Sequence, residues 1–115
     1  MAGDCLFCKI AAGEIDADEV KSSDRWVAFR DINPQAPTHV LIIPKEHIPT
    51  LNDADAEHKA LLGELLLAAK EVAAEEGLAE PGYRTVLNCN AGAGQSVFHI
   101  HVHLLGGREL GWPPG

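Results

Sequence analysis

The run His99-Ile100-His101-Val102-His103-Leu104-Leu105 constrains this chain more than any other stretch. Its alternation has the two-residue period of a β-strand, in which successive side chains point to opposite faces. His99, His101 and His103 therefore share one face, and Ile100, Val102 and Leu104 share the other. A strand cannot bury an apolar face by itself, so this one needs a covering layer. The segment that can supply it runs from about residue 53 to residue 76, where Leu61, Leu65, Ala68, Ala69 and Val72 fall at helical spacing. A sheet carrying histidines on one side and packed by one long helix on the other is the starting point for the fold.

The remaining elements follow from local signals. Asn52 and the acidic residues after it suit a helix start, and Gly77 closes the long helix. Residues 4–12 read as a short helix ended by Gly13. Residues 20–22 and 26–31 read as a hairpin turning at Ser22-Ser23-Asp24. Pro34 and Pro37 make residues 33–37 a loop, and Thr38–Pro44 is an apolar, β-branched run typical of a central strand. Residues 83–90 and 97–105 complete the strands around a glycine-rich turn at 91–95, and an extended tail occupies about 108–115. The prediction is an α+β fold in a single domain, 1–115: an antiparallel sheet of about five strands, one long helix and a short N-terminal helix.

At 115 residues the chain supports one core and not two. Nine basic against 17 acidic residues give a net charge of −8. With no basic stripe, that balance argues against a nucleic acid polymer as partner, though it leaves a small phosphate ligand open. No apolar run approaches the ~20 residues of a membrane span. The opening Met-Ala-Gly-Asp lacks the basic and apolar regions of a secretory signal. With only three cysteines, the expected location is a reducing cytoplasm.

Three imidazoles in a row admit several chemistries. A solvated histidine face is the plain one. Alternating histidines could also hold a catalytic zinc with an open coordination position, although no carboxylate lies within the run. The third reading is nucleophilic attack at phosphorus, for which neutral imidazole needs no prior activation at pH 7. Spacing alone leaves the last two readings open.

The run resembles the histidine triad (HIT) signature, His-φ-His-φ-His-φ-φ with φ apolar. Gly94-Gln95-Ser96-Val97-Phe98 before it and Gly106-Gly107-Arg108 after it are similar to the histidine triad nucleotide-binding (Hint) branch. So are residues 31–39, Asp-Ile-Asn-Pro-Gln-Ala-Pro-Thr-His, together with Leu61-Leu62-Gly63 and the terminal Trp112-Pro113-Pro114-Gly115. The resemblance implies a hydrolase of purine nucleoside phosphoramidates or acyl adenylates that forms a nucleotidyl-histidine intermediate and releases AMP or GMP. It implies His101 as nucleophile, its tautomer set by the carbonyl of His99, with His103 on the phosphoryl oxygens and with Ser96 and His39 assisting. It places Asp31 on the ribose hydroxyls, Phe7, Ile10, Phe29, Ile32 and Leu41 around the base, and Asn88, Gly94, Gln95 and Ser96 at the phosphate. Read without the resemblance, those apolar residues are core and Asp31 is a turn-former. The resemblance also implies a homodimer, in which Trp112 of one subunit helps to select leaving groups at the site of the other.

Cys5 and Cys8 are three apart on the predicted first helix, so both thiols share a side. By themselves they are a redox pair, half a zinc site or two buried thiols. Bacterial-type family members with Cys-φ-Phe-Cys here resemble this chain, and that likeness implies a structural, non-catalytic zinc on Cys5, Cys8, His47 and His99. Competing functions are a nucleotide-binding interaction protein with incidental turnover, a dinucleoside polyphosphate hydrolase, and a zinc-dependent hydrolase centred on the triad.

Overall fold

The structure, a computed structural model, describes residues 4–115; Met1, Ala2 and Gly3 of the opening tetrapeptide lie outside the described residues. The predicted alternation and helical periodicity both materialise. Five strands, β1 (Glu19–Ser22), β2 (Trp26–Arg30), β3 (Thr38–Pro44), β4 (Tyr83–Val86) and β5 (Val102–Gly106), form one antiparallel sheet in the order β1-β2-β3-β5-β4. A short helix, α1 (Leu6–Ala11), precedes the sheet, and the long helix, α2 (Lys59–Glu75), follows β3.

The two faces of the sheet are covered unequally. Trp26, Ala28, Val40, Ile42, Val102 and Leu104 pack with Leu65, Ala68, Ala69, Val72 and Ala73 of α2. The alternate residues Val27, Phe29, Leu41 and Ile43 meet Phe7 of α1 on the other face. Covered from both sides, β3 is buried along its whole length, which is why its sequence runs apolar without alternation from Val40 to Pro44. At six residues α1 is only about 9 Å long. It shields part of its face and leaves the rest as a shelf.

Several boundaries move from their predicted places, each for a local reason. The long helix begins at Lys59, not near residue 53. Two single-turn 3-10 segments precede it, one closed by a reciprocal bond pair between Thr50 and Asp53 and the next capped by Asp55. These acidic residues do cap, but they cap turns that break before the helix. The strand predicted over residues 83–90 stops at Val86, and Asn90 takes a left-handed φ of 71° as the chain enters the glycine-rich turn. Among the described residues, no helix is long and apolar enough to cross a membrane.

Candidate active site and adjoining metal-ligand cluster

The largest departure from prediction concerns the histidine run itself. Only Val102–Gly106 of the predicted strand 97–105 pairs as β5. Its neighbour β3 ends in Pro44, and the last β3–β5 pair is Ile42 with Val102. Proline has no N–H for a further ladder bond. Beyond that point side chains and a crossing backbone bond replace the ladder. The His99 ring donates from Nε2 to the Pro44 carbonyl at 2.8 Å, and the Ile100 N–H donates to the Ile48 carbonyl at 2.7 Å. Alternation survives the loss of pairing, because Ile100 still enters a core with Ile48 and Leu61 while the histidines turn to the opposite side.

On that side the register gathers one set of residues. Leu41 lies opposite His103, and Phe29 lies opposite Leu41. Directly paired residues share a face, as do residues two apart, so Phe29, Asp31, His39, Leu41 and His103 all belong to the shelf beside α1. The ring centroids of His101 and His103 are 5.0 Å apart, and Phe7 meets His101 edge to face at 5.0 Å.

Hydrogen bonds fix where each imidazole carries its proton. His101 Nδ1 lies 2.8 Å from the His99 carbonyl oxygen. A carbonyl only accepts, so Nδ1 carries the hydrogen and Nε2 keeps a bare lone pair. The Gln35 N–H donates to His39 Nδ1 at 3.0 Å, which puts the hydrogen of neutral His39 on Nε2. That atom faces His103 Nδ1 at 2.9 Å and Asp31 Oδ2 at 3.4 Å. His39 thus donates to His103, and His103 must carry its own hydrogen on Nε2. Asp31, His39 and His103 also bring three metal-type donor atoms together. With a hydrogen on the central nitrogen, the trio is a hydrogen-bond chain and not a set of free ligands.

Burial keeps this chain neutral. It lowers His101 below the ordinary value of 6.5, against smaller upward effects from the His99 carbonyl and Asp31. Burial likewise lowers His39, which Asp31 partly offsets. His103 is pushed down to about 4, first by burial and then by the rings of His101 and His39. At neutral pH the shelf therefore presents a lone pair on one ring and a donor N–H on another.

The other predicted site residues are distributed as follows. Asp31 accepts from the Asn33 N–H at 2.8 Å, so it forms its turn, while its second oxygen faces His39. Phe7, Phe29 and Leu41 are buried together and Ile10 packs against them, whereas Ile32 stands fully exposed beside Asp31. Asn88 is half-buried in the irregular segment after β4. The Gly94 and Gln95 amides donate within their own turn, to Ala91 and Asn90. Ser96 is exposed at the end of that turn. It lines a cleft of about 480 Å³ with Asp4, Cys5, Leu6, His47, Pro49, Val97 and Phe98.

The predicted metal ligands converge. The donor atoms of Cys5, Cys8, His47 and His99 all lie within 4.8 Å of one another. His99 Nδ1 is 3.3 Å from Cys5 Sγ, 3.5 Å from Cys8 Sγ and 3.2 Å from His47 Nδ1, and Cys8 Sγ is 3.2 Å from His47 Nδ1. Ligands at zinc bond lengths on a tetrahedron sit about 3.3–3.8 Å apart. Since Nε2 of His99 donates to Pro44, its Nδ1 lone pair points into the cluster, the outer-sphere arrangement expected of a metal-binding histidine. Burial and the neighbouring Cys5 raise the Cys8 thiol to about 11, so its thiolate form calls for a compensating cation. The four residues fit a closed tetrahedral site.

The partners that sequence reading missed are mostly main-chain groups: the Gln35 N–H, and the carbonyls of Pro44 and Pro49. No side-chain pattern marks them. His58 accepts from the Asp55 N–H and donates to Glu46 beside the start of α2.

Comparison with known proteins agrees with this geometry. The HIT domain family model matches residues 12–110. A purine nucleoside phosphoramidase of Escherichia coli strain K12 is 54% identical over 111 residues, covering 96% of this chain and 93% of that protein. A 14 kDa zinc-binding protein of Zea mays is 54% identical over 112 residues, covering 96% and 87%. The crystal structure of a HIT family hydrolase from Legionella pneumophila Philadelphia 1 superposes with a TM-score of 0.96 at 59% identity, covering 97% of this chain and all of that one. With the family's three alternating histidines standing on the shelf of a matching fold, this chain belongs to the HIT domain family.

Proposed function

We propose that the protein is a purine nucleoside phosphoramidase-type hydrolase that works through a nucleotidyl intermediate on His101. The observation that carries this reading is the bare Nε2 of His101, held in its tautomer by the His99 carbonyl and set beside a neutral His103. That nitrogen attacks the α-phosphorus of a purine nucleoside phosphoramidate or acyl adenylate. The phosphorus–leaving-group bond breaks with its electron pair, and a departing amine takes up a proton. Water then attacks phosphorus, the bond to Nε2 breaks, and the nucleoside monophosphate leaves. His103 Nε2–H offers a hydrogen bond to the phosphoryl oxygens as charge builds, and His39 holds it in that tautomer. Asp31 is suited to the ribose hydroxyls because a carboxylate only accepts. Phe7, Phe29 and Leu41 supply an apolar wall for the base, with Ile10 and Ile32 at its margin. Asn88, Gly94, Ser96 and the main chain at Gln95 border the phosphate, with Ser96 at the leaving group. The 54% identity to a purine nucleoside phosphoramidase over nearly the whole chain supports the reaction class.

Cys5, Cys8, His47 and His99 hold a structural zinc in this reading, as the donor geometry and the likeness to a zinc-binding protein support. Bound there, the cation adds folding stability and keeps both thiols ionised. With four protein donors the site would be closed, a structural role with no direct part at phosphorus. A reducing cytoplasm suits such thiols. A homodimer is the expected assembly, supported by the exposure of Leu66 and Leu67 on α2 and by Trp112, which is 84% exposed on a tail that needs a surface to select leaving groups.

The deciding experiment follows hydrolysis of an adenosine phosphoramidate with a fluorogenic leaving group. Wild type should turn over and form an acid-labile adenylyl adduct on His101, and His101→Ala should lose both. Undiminished hydrolysis by His101→Ala would sink the assignment.

A further inference from the structure

Gln95 is the residue whose placement is least like that of a substrate ligand. It is a large polar side chain only 4% exposed, between Gly94 and the exposed Ser96. Nearly all its hydrogen-bonding capacity is spent inside the protein. Oε1 accepts from the Asn90 N–H at 2.7 Å, and Nε2 donates to the Pro49 carbonyl at 2.7 Å and to the Val97 carbonyl at 3.1 Å. Its own backbone N–H donates to the Asn90 carbonyl at 3.1 Å. Both main-chain groups of Asn90 are thus bonded to one residue, and Asn90 is the non-glycine residue held at a φ of 71°.

The turn from residue 90 to residue 97 is wrapped around this amide as around a spoke. Its two ends, Asn90 and Val97, bind one side chain, and the third bond ties them to Pro49. That segment is itself fastened to the histidine run one step away, through the Ile48 carbonyl and the Ile100 N–H. The loop carrying Ser96 and the run carrying His101 are therefore referenced to the same stretch, 48–49. Glycine at 94, with φ of 97°, lets the turn close but cannot fix where Ser96 comes to rest.

We infer that Gln95 is a positioning residue: through its three side-chain bonds it sets the Ser96 loop against His101, and its side chain never touches substrate. The inference rests on the hydrolase reading above. Misplacing a reacting group by about 1 Å can cost roughly 100-fold in rate with little change in binding. Asp31, Phe29 and Leu41, which face the nucleoside in that reading, stand on or beside strands β2 and β3 outside the loop. The effect of Gln95 should therefore fall on kcat far more than on KM.

Two variants test this. Gln95→Leu keeps the approximate volume and loses all three bonds. Gln95→Glu keeps the shape and the acceptor but sets an oxygen against two carbonyls. Both should lower kcat on the adenosine phosphoramidate by roughly 10- to 100-fold, with KM changed less than about 3-fold. Amide hydrogen exchange should accelerate over residues 90–98 and stay at wild-type rates in β2 and β3. A residue that merely fills space would give a Gln95→Glu variant with wild-type kcat. That result overturns the inference, as does wild-type loop exchange in Gln95→Leu. A lowered melting temperature with unchanged kcat per folded molecule overturns it too. If wild type itself fails to turn over, the hydrolase reading falls and takes this one with it; if wild type turns over and the variants match it, this inference falls alone.

Discussion

His39 shows how much of this site depends on proton placement and how little on proximity alone. Its ring is buried, takes a main-chain N–H on one nitrogen and gives its hydrogen to His103 from the other. Without that donor His103 is free to adopt the opposite tautomer and present a lone pair where the proposed mechanism needs a donor to the phosphoryl oxygens. Loss of one neutral hydrogen bond of about 1 kcal/mol corresponds to roughly 5- to 10-fold in rate. His39→Leu should lower kcat/KM by about that factor while the adenylyl adduct on His101 still forms, as mass spectrometry of quenched reactions would show. The pair also predicts a stability profile. His39 and His103 are held neutral, their values lowered by burial against the facing charge of Asp31, and His103 reaches about 4. The unfolded chain, near 6.5, binds protons first as pH falls. The stability these rings contribute is complete above about pH 6.5 and is lost progressively toward pH 4. Urea midpoints of wild type and of His103→Gln should converge across that window; parallel curves would show that burial of His103 carries no such cost.

At the scale of elements, what the sequence made legible was whatever depends on period. The alternation in 99–105 and the spacing of Leu61, Leu65 and Val72 identify the layers, whereas the grouping of Cys5, Cys8, His47 and His99 is legible through the family resemblance and not through period. What remained hidden depends on partners. The pairing of β5 begins only at Val102 because the neighbouring strand ends in Pro44, a fact about β3 that the histidine run does not contain. Helix α2 starts late because Thr50 and Asp55 each close a separate turn first. Gly107 illustrates the same point. It follows β5 with a φ of 93°, and a Cβ there would lie 2.9 Å from Cβ of Pro37, in the loop that feeds β3. Both strain and overlap oppose any side chain, and the proline ring cannot swing aside. Gly107→Ala should destabilise the fold by about 1–3 kcal/mol in urea titration. The N-terminal helix depends on another connection. Cys5 caps α1 and Phe7 leans on His101, so the cysteine–histidine cluster fastens that helix to the histidine run. Cys5→Ser with Cys8→Ser should abolish zinc content by elemental analysis and lower the melting temperature by several degrees.

The molecule as a whole carries one well-covered face, one half-covered shelf and an outer surface with apolar residues left over. The solvent side of α2 exposes Leu66 and Leu67, and β4, at the edge of the sheet, exposes Tyr83. Apolar residues on a free sheet edge and an adjoining helix are a hazard unless something covers them. A second copy of the chain is the occupant that the homodimer proposed above would supply. The net charge of −8 opposes association at long range, so the proposed homodimer would rest on apolar burial more than on charge pairing. Sedimentation equilibrium should therefore give about twice the 12.3 kDa chain mass, with only weak dependence on salt. Leu66→Glu with Leu67→Glu, placing two carboxylates on that helix face, should return the mass of one chain. The tail provides the functional half of the same test. Arg84 holds it by donating to the carbonyls of Leu110 and Gly111, which leaves Trp112 exposed to solvent. If Trp112 serves a neighbour's site in the proposed homodimer, deleting residues 112–115 and the Leu66→Glu/Leu67→Glu exchange should alter the ranking of leaving groups in the same way. A truncated protein with an unchanged ranking would return the tail to a purely structural role.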